Sequence, residues 1–447
     1  MKDYTATAFN TTVTTSYSKP ATITGAYDGQ DEGGTLLLAG GTAGRFLNAN
    51  TNFENLVFYG STSTTSTGTV DLYIQGHKVK FGSNITMDRY TKNGTLPDFD
   101  IYGGWRRFNT VSSLVAKTNI PTIEINSGQF NKIIMGNGMG TNAVSNLQNT
   151  TSNNIIGSSS DSFGGTVTVD YTEKMKQEDI GLIAGGNEIG TIYSNAIINI
   201  KNGNVGKIIG GNYADSSNRP TSWAYPLNTF IGTSTINVTG GQIENIIGAS
   251  YGRNVNGTTI KSDAYYYGTI NINISGGIIN SDIYGAGMGS TTGYNTNSSD
   301  AYKSYGANVT TSTNINISGG TIKGNVYGGG YAYSENLTEA QQQLDSGALY
   351  GNSNVIVNGS PTINGDIYGS GKGYNYSTVP NNSKMIGNTT VTISGTPTIG
   401  SGKIIYGAGN GLALSTTAGL TGNTTINMNA TINKSVYGGG NSANVIG

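Results

Sequence analysis

The residues best equipped for chemistry lie in one run, Asp98-Phe99-Asp100-Ile101-Tyr102-Gly103-Gly104-Trp105-Arg106-Arg107. Residues two apart on a strand share a face, so Asp98 and Asp100 would set two carboxylates side by side near two arginines. Paired carboxylates are the equipment of glycosidic cleavage. Neither acid recurs on neighbouring repeats to build a cleft, so the run reads as a salt-bridged or solvated loop. Asp28-Gly29-Gln30-Asp31-Glu32 offers oxygens to Ca²⁺. It lacks EF-hand spacing and the glycine-aspartate nonapeptide of calcium-binding β-rolls, and reads as a solvated turn. His77 is the single histidine and cysteine is absent. That leaves no two-histidine metal site, no thiol chemistry and no disulfide scaffold, and gives a Ser-His-Asp triad only one possible base, placed in a turn. No catalytic residue, metal or cofactor is expected.

Aromatic residues are the stronger signal. Tyr284, Tyr327, Tyr368, Tyr406 and Tyr437 each follow the last inward aliphatic residue of a repeat, where earlier repeats carry Met135, Ala184, Gly210 and Gly248. A tyrosine after an inward residue should point away from the core, with rings about one strand spacing apart. Exposed, such a stack is a platform for sugar rings; covered by loops, it only stabilises the pile. The segments between repeats hold Tyr265-Tyr266-Tyr267, Tyr294, Tyr302, Tyr305, Tyr331, Tyr333, Tyr374, Tyr376 and Ser222-Trp223-Ala224-Tyr225. Rigid aromatics mixed with Ser and Asn are the chemistry of binding loops. The candidate ligand-binding set is the five-tyrosine column with Trp223, Tyr225, Tyr266, Tyr331, Tyr333, Tyr374 and Tyr376.

The elements that must position these residues are written in the repeat Thr313-Asn314-Ile315-Asn316-Ile317-Ser318-Gly319-Gly320-Thr321-Ile322-Lys323-Gly324-Asn325-Val326-Tyr327-Gly328-Gly329-Gly330. Across eight copies one inward column reads Ile123, Ile198, Ile236, Ile272, Ile315, Val355, Val391 and Ile426. The next reads Ile125, Ile200, Val238, Ile274, Ile317, Val357, Ile393 and Met428. The residue between is mostly polar, as in Glu124, Asn199, Asn237 and Asn273. Period two with β-branched residues means strands. A glycine corner follows (Gly240-Gly241, Gly276-Gly277, Gly319-Gly320), replaced by Ser360-Pro361 and Thr396-Pro397 in two copies. A short strand then carries Val205, Ile243, Ile279, Ile322, Ile363, Ile399 and Ile432. A last strand carries Ile134, Ile183, Ile209, Ile247, Ile283, Val326, Ile367, Ile405 and Val436.

A unit of this kind cannot bury its apolar face alone and must stack on copies of itself. The predicted fold is all-β: a single right-handed parallel β-helix of about a dozen three-strand rungs with long loops on one side. At ~4.8 Å per rung it is roughly 55–60 Å long. Residues 1–120 read as less regular opening rungs, through Leu36-Leu37-Leu38, Leu56-Val57-Phe58, Leu72-Tyr73-Ile74 and Val79-Lys80-Phe81, and residues 121–447 as the regular repeats of one continuous domain.

The I-N-I-S-G-G and V-Y-G-G-G runs, over roughly residues 120–440, resemble the Gly/Asn-rich β-helical regions of large bacterial surface proteins, often described as adhesin-like. The resemblance implies an extracellular, cell-attached role. Composition narrows the partners: charged residues are 11% and formal net charge is -1, which argues against nucleic acid or an anionic membrane surface. No stretch has the ~18 apolar residues of a membrane helix. The start is unlike a signal peptide and no polar cap follows Gly440, so the chain reads as a piece of a longer secreted one. The expected role is a non-enzymatic surface or adhesion module, with glycan or neighbouring-cell protein as partner and a monomer as the expected state, or a plain structural stalk. The alternative is a carbohydrate-active β-helix, a polysaccharide lyase or hydrolase or a phage tailspike-like protein.

Overall fold

The computed structural model describes residues 21–24, 34–37, 45–47, 50–61, 65–104, 120–138, 155–157, 162–172, 179–188, 190–213, 228–252, 264–292, 309–310, 312–336, 347–376, 379–381, 384–411 and 419–447. Among them regular structure is strand alone, and no helix is long and apolar enough to cross a membrane.

Two long parallel sheets dominate. The first runs through the strands that carry the alternating repeat. In it Thr122–Ile125, Gly165–Asp170, Thr191–Asn202, Asn228–Val238, Ile270–Ile274 and Thr313–Ile317 pair in order, Ile123 lying on Val167, Ile198, Ile236, Ile272 and Ile315 in turn. Val167 and Val169 add a rung that the aligned columns passed over. Both inward columns are buried as alternation demands as far as Val391 and Ile393, while on the last rung Ile426 is half-buried and Met428 is exposed. The polar residues between them bond from rung to rung: Asn273 Nδ2 donates to Asn237 Oδ1 at 2.9 Å, and Asn237 Nδ2 to Asn199 Oδ1 at 2.9 Å. This ladder satisfies the amides of a face that carries no apolar column.

The second sheet holds the strands that end each rung. Val70–Tyr73, Phe99–Tyr102, Phe130–Ile134, Ile180–Ala184, Asn204–Ile209 and Gln242–Ile247 lie parallel in sequence order, followed by Ile283–Tyr284, Val326–Tyr327, Ile367–Tyr368, Ile404–Tyr406 and Ser435–Tyr437. Between the sheets one apolar core runs the length of the stack. Its N-terminal end is filled by phenylalanines, such as Phe81 and Phe130 with ring centroids 4.8 Å apart, and later rungs use Ile and Val. Pairings of both sheets cross residue 120, so the opening rungs continue into the regular ones.

At the corner, Gly320 has φ 78, and a Cβ there would lie 2.8 Å from the Gly276 carbonyl oxygen, so only glycine fits. Where Ser360-Pro361 and Thr396-Pro397 enter, the left-handed residue moves to the preceding Gly359 and Gly395 (φ 64 and 73). The corner therefore keeps its glycine rather than losing it.

One recurring strand was not anticipated. Ahead of the alternating strand, Ile156, Ile192, Phe230, Tyr266, Val309, Leu349, Met385, Leu420 and Val445 fall in register. It adds a further column to the first sheet.

Candidate functional site

The tyrosine column grows from alternation on the second sheet. Ile283, Val326, Ile367 and Ile405 face the interior, so the next residue in each strand faces away from it. Strand register fixes its members as Tyr73, Tyr102, Ile134, Ala184, Ile209, Ile247, Tyr284, Tyr327, Tyr368, Tyr406 and Tyr437. This corrects the sequence alignment: the equivalents in the middle rungs are Ile134, Ile209 and Ile247, not Met135, Gly210 and Gly248, and the inward residues there are Ile133, Ile208 and Ile246.

The rings stack. Tyr284–Tyr327, Tyr327–Tyr368, Tyr368–Tyr406 and Tyr406–Tyr437 have centroids 5.3, 4.8, 4.9 and 5.6 Å apart. They point away from the main core but not into solvent. Tyr327 is 0% and Tyr368 1% exposed, Tyr284 and Tyr406 are also buried, and only Tyr437, at 52%, is open. The expectation of an exposed sugar platform is therefore overturned. The cover is the residue just past each glycine-rich exit: Tyr213, Tyr251, Met288, Tyr331, Lys372, Asn410 and Asn441 align by parallel bridges and pairing. With the ladder, the apolar members of this line make a second apolar cluster on the far side of the sheet.

The other proposed contacts separate. Tyr266 sits in the strand Ala264–Tyr267, fully buried and stacked on Phe230 at 4.7 Å, so it is a core residue and not a loop contact. Tyr331 is half-buried and stacks on Tyr284 at 5.1 Å. Tyr333 lies in Tyr331–Asn336, and Tyr374 and Tyr376 in Tyr374–Tyr376. Trp223 and Tyr225, like Asp28, Asp31, Glu32 and Trp105 to Arg107, lie outside the described residues.

Beside the ladder, two residues earlier on each strand, runs a column that is polar except at Leu182. Register sets Asp71 against Asp100, Asp100 against Lys132, Lys132 against Leu182, Leu182 against Lys207 and Lys207 against Asn245. Backbone bonds carry it on through Asp282, Asn325 and Asp366. Two charged constellations form on it.

In the first, Lys132 Nζ lies 3.1 Å from Asp100 Oδ2 and 2.6 Å from Glu188 Oε1. Asn131 Nδ2 donates to Asp100 Oδ1 at 2.7 Å, and the Tyr102 hydroxyl donates to Glu188 Oε1 at 3.2 Å. Asp98 thus sits in the bend before the strand Phe99–Tyr102 and Asp100 within that strand, so the expected salt bridge forms on a strand rather than a loop, and a carboxylate does recur on the neighbouring rung as Asp71. Burial, then the charges of Asp100, Glu188 and Asp98, push the Asp71 carboxyl up to about 7 against the pull of Lys132. Burial also raises Asp98 and Asp100.

In the second, Lys372 Nζ donates to Asp282 Oδ2 at 3.0 Å and lies 4.7 Å from the Tyr331 ring centroid and 5.6 Å from that of Tyr327. The Tyr284 hydroxyl donates to the same Asp282 oxygen at 2.9 Å. This lysine fills its own aromatic cage. Asp71, Lys132, Glu188 and Lys372 were not singled out from the sequence, because each meets its partners only across rungs. Among the described residues no group of three or more His, Cys, Asp or Glu is placed to hold a metal ion.

Comparison with family models, with curated proteins and with solved structures finds no match to this chain.

Proposed function

We propose that the chain is a right-handed parallel β-helix that serves as a non-enzymatic extracellular surface or adhesion module. It holds Tyr/Asn/Ser-rich segments along one side for weak, multivalent contact with glycan or neighbouring-cell protein. One observation carries this reading: successive rungs leave the stack at the same line, Tyr213, Tyr251, Met288, Tyr331, Lys372, Asn410 and Asn441. Exits repeated along one line are the repetition that multivalent contact needs. With the tyrosine ladder buried, binding falls to the segments beyond that line. The plain stalk is the same reading without a ligand.

A second reading, a polysaccharide-degrading β-helix, has the carboxyl of Asp71 in its favour, since an acid titrating near 7 suits general acid catalysis. The burial of Asp100 and Glu188 beside it weighs the other way.

A glycan array run with a polysaccharide-degradation assay separates them. Binding without turnover supports the adhesion module, and silence in both leaves the stalk. Turnover abolished by Asp71→Asn, from a chain that runs as an SDS-resistant trimer, transfers the assignment to the enzyme.

A further inference from the structure

A lysine placed against two buried carboxylates is ordinarily an ion pair. Around Lys132 the arrangement is more specific. Asp100 and Lys132 are direct register partners on adjacent parallel strands, so their backbones are fixed one strand spacing apart. Asp100 is 5% and Glu188 2% exposed. The Asp100 carboxyl is held from both ends: its Oδ1 by the Asn131 amide, its Oδ2 by Lys132 Nζ. Glu188 Oε1 sits 2.6 Å from the same Nζ. Tyr73, Tyr102, Ile134 and Leu182 form the apolar end of the cluster beside them.

We propose that Lys132 and Asp100 join in an intramolecular isopeptide bond, with Glu188 carrying the proton between them. The step is a condensation. The ammonium of Lys132 gives a proton to Glu188, and the freed amine attacks Cγ of Asp100. Negative charge develops on Oδ1, where the Asn131 N–H already points. Glu188 returns its proton to Oδ2, a further proton from the attacking nitrogen follows, and Oδ2 leaves as water. One ammonium and one carboxylate become one amide and one water, with no oxidant or activating group required.

Two physical arguments favour the amide over the ion pair. Ordered neighbours react with effective molarities of about 10⁵–10⁸ M, which offsets the mass action of surrounding water on the reverse step. The product also removes two charges from a place where desolvation makes them costly and where carboxylates outnumber the cation. The raised titration of Asp100 points the same way, because burial disfavours the carboxylate charge that the amide removes. The bond does not depend on the adhesion reading; it concerns the scaffold alone.

The test is the intact mass of the purified chain, followed by a peptide map. The expected result is a deficit of one water, with a branched peptide joining the segments of Asp100 and Lys132. Lys132→Arg should restore the full mass, and a folded Glu188→Gln chain should accumulate the unlinked form. Because Asp28-Gly29 can also lose water by cyclising, the branched peptide is the deciding readout. Full mass with linear Asp100 and Lys132 peptides from cooperatively folded wild-type chain overturns the proposal. A branch from Lys132 to Glu188 instead overturns the assignment of Asp100, and undiminished linkage in Glu188→Gln overturns the role of Glu188.

Discussion

Tyr327 and Tyr368 lie one rung apart with ring centroids 4.8 Å apart and planes within 6°, yet both are shut away from solvent. Stacked aromatics on the outside of a sheet are thus used here for cohesion. Each ring buries its faces on its neighbours and its edge beneath the exit line, so one sheet is packed on both sides.

Removing one of these rings should cost as much as removing a core aromatic. Tyr327→Ala is expected to lose about 3–5 kcal/mol of stability, whereas Tyr437→Ala, at the open end of the ladder, should lose about 1 kcal/mol. Chemical denaturation of the two variants decides it: equal losses would mean the ladder is not a packed cluster.

Lys372 and Asp282 should behave as one unit. With both side chains largely buried, Lys372→Ala is expected to cost about 1.5–3 kcal/mol, the range for hydrogen bonds to charged groups. Much of that is the penalty of stranding Asp282, so adding Asp282→Asn should recover part of it. A double-mutant cycle on unfolding midpoints checks this, and strict additivity would contradict it.

The Asp71 carboxyl makes stability depend on pH with a definite sign. Its folded value near 7 lies above the ordinary carboxylate value, so the folded state holds the extra proton. That contribution is fully present below about pH 4 and is lost as pH rises through 7. Asp71→Asn should therefore flatten the fall in melting temperature between pH 5 and 8 relative to wild type. The single histidine opposes the trend: burial lowers His77, whose contribution is lost as pH falls through its folded value, but this is common to both chains. Where the Lys132–Asp100 amide has formed, Asp71 loses both the repulsion of Asp100 and the smaller pull of Lys132, and the difference narrows.

The corner glycines should resist replacement. Gly320→Ala forces a Cβ onto a left-handed residue and against the Gly276 carbonyl. About 1–3 kcal/mol of destabilisation is expected, while Gly402→Ala, left-handed but with open space around it, should lose only the conformational part, about 1–2 kcal/mol. Thermal melts of the two variants provide the comparison.

Much of this was legible in the sequence because a rung repeats its reasons. Ile315 and Ile317 alternate with Asn314 and Asn316, so strand and inward face follow from period alone, and Gly319-Gly320 marks the corner. Alternation failed where both faces of a strand are covered. In Ile133-Ile134 or Ile246-Ile247 each residue is buried, one in each cluster, and nothing in the letters says which faces inward. The strand column from Ile156 to Val445 escaped because its residues range from Phe230 to Met385 and follow segments of unequal length. The Lys132 cluster was half visible: Asp98 and Asp100 stand two apart in sequence, but Lys132 and Glu188 reach them only through stacking.

The exit line reaches backwards along the stack. Tyr331, which follows Tyr327, lies on Tyr284 of the rung before, and Lys372, which follows Tyr368, bonds to Asp282 two rungs earlier. Simple stacked repeats melt as beads coupled only to their immediate neighbours. Here Lys372 on Asp282 and Asn410 on Tyr327 each reach one rung beyond the neighbour, so fraying along these rungs should advance in blocks of two or three. Excising a single repeat would mismatch every clasp that spans the cut.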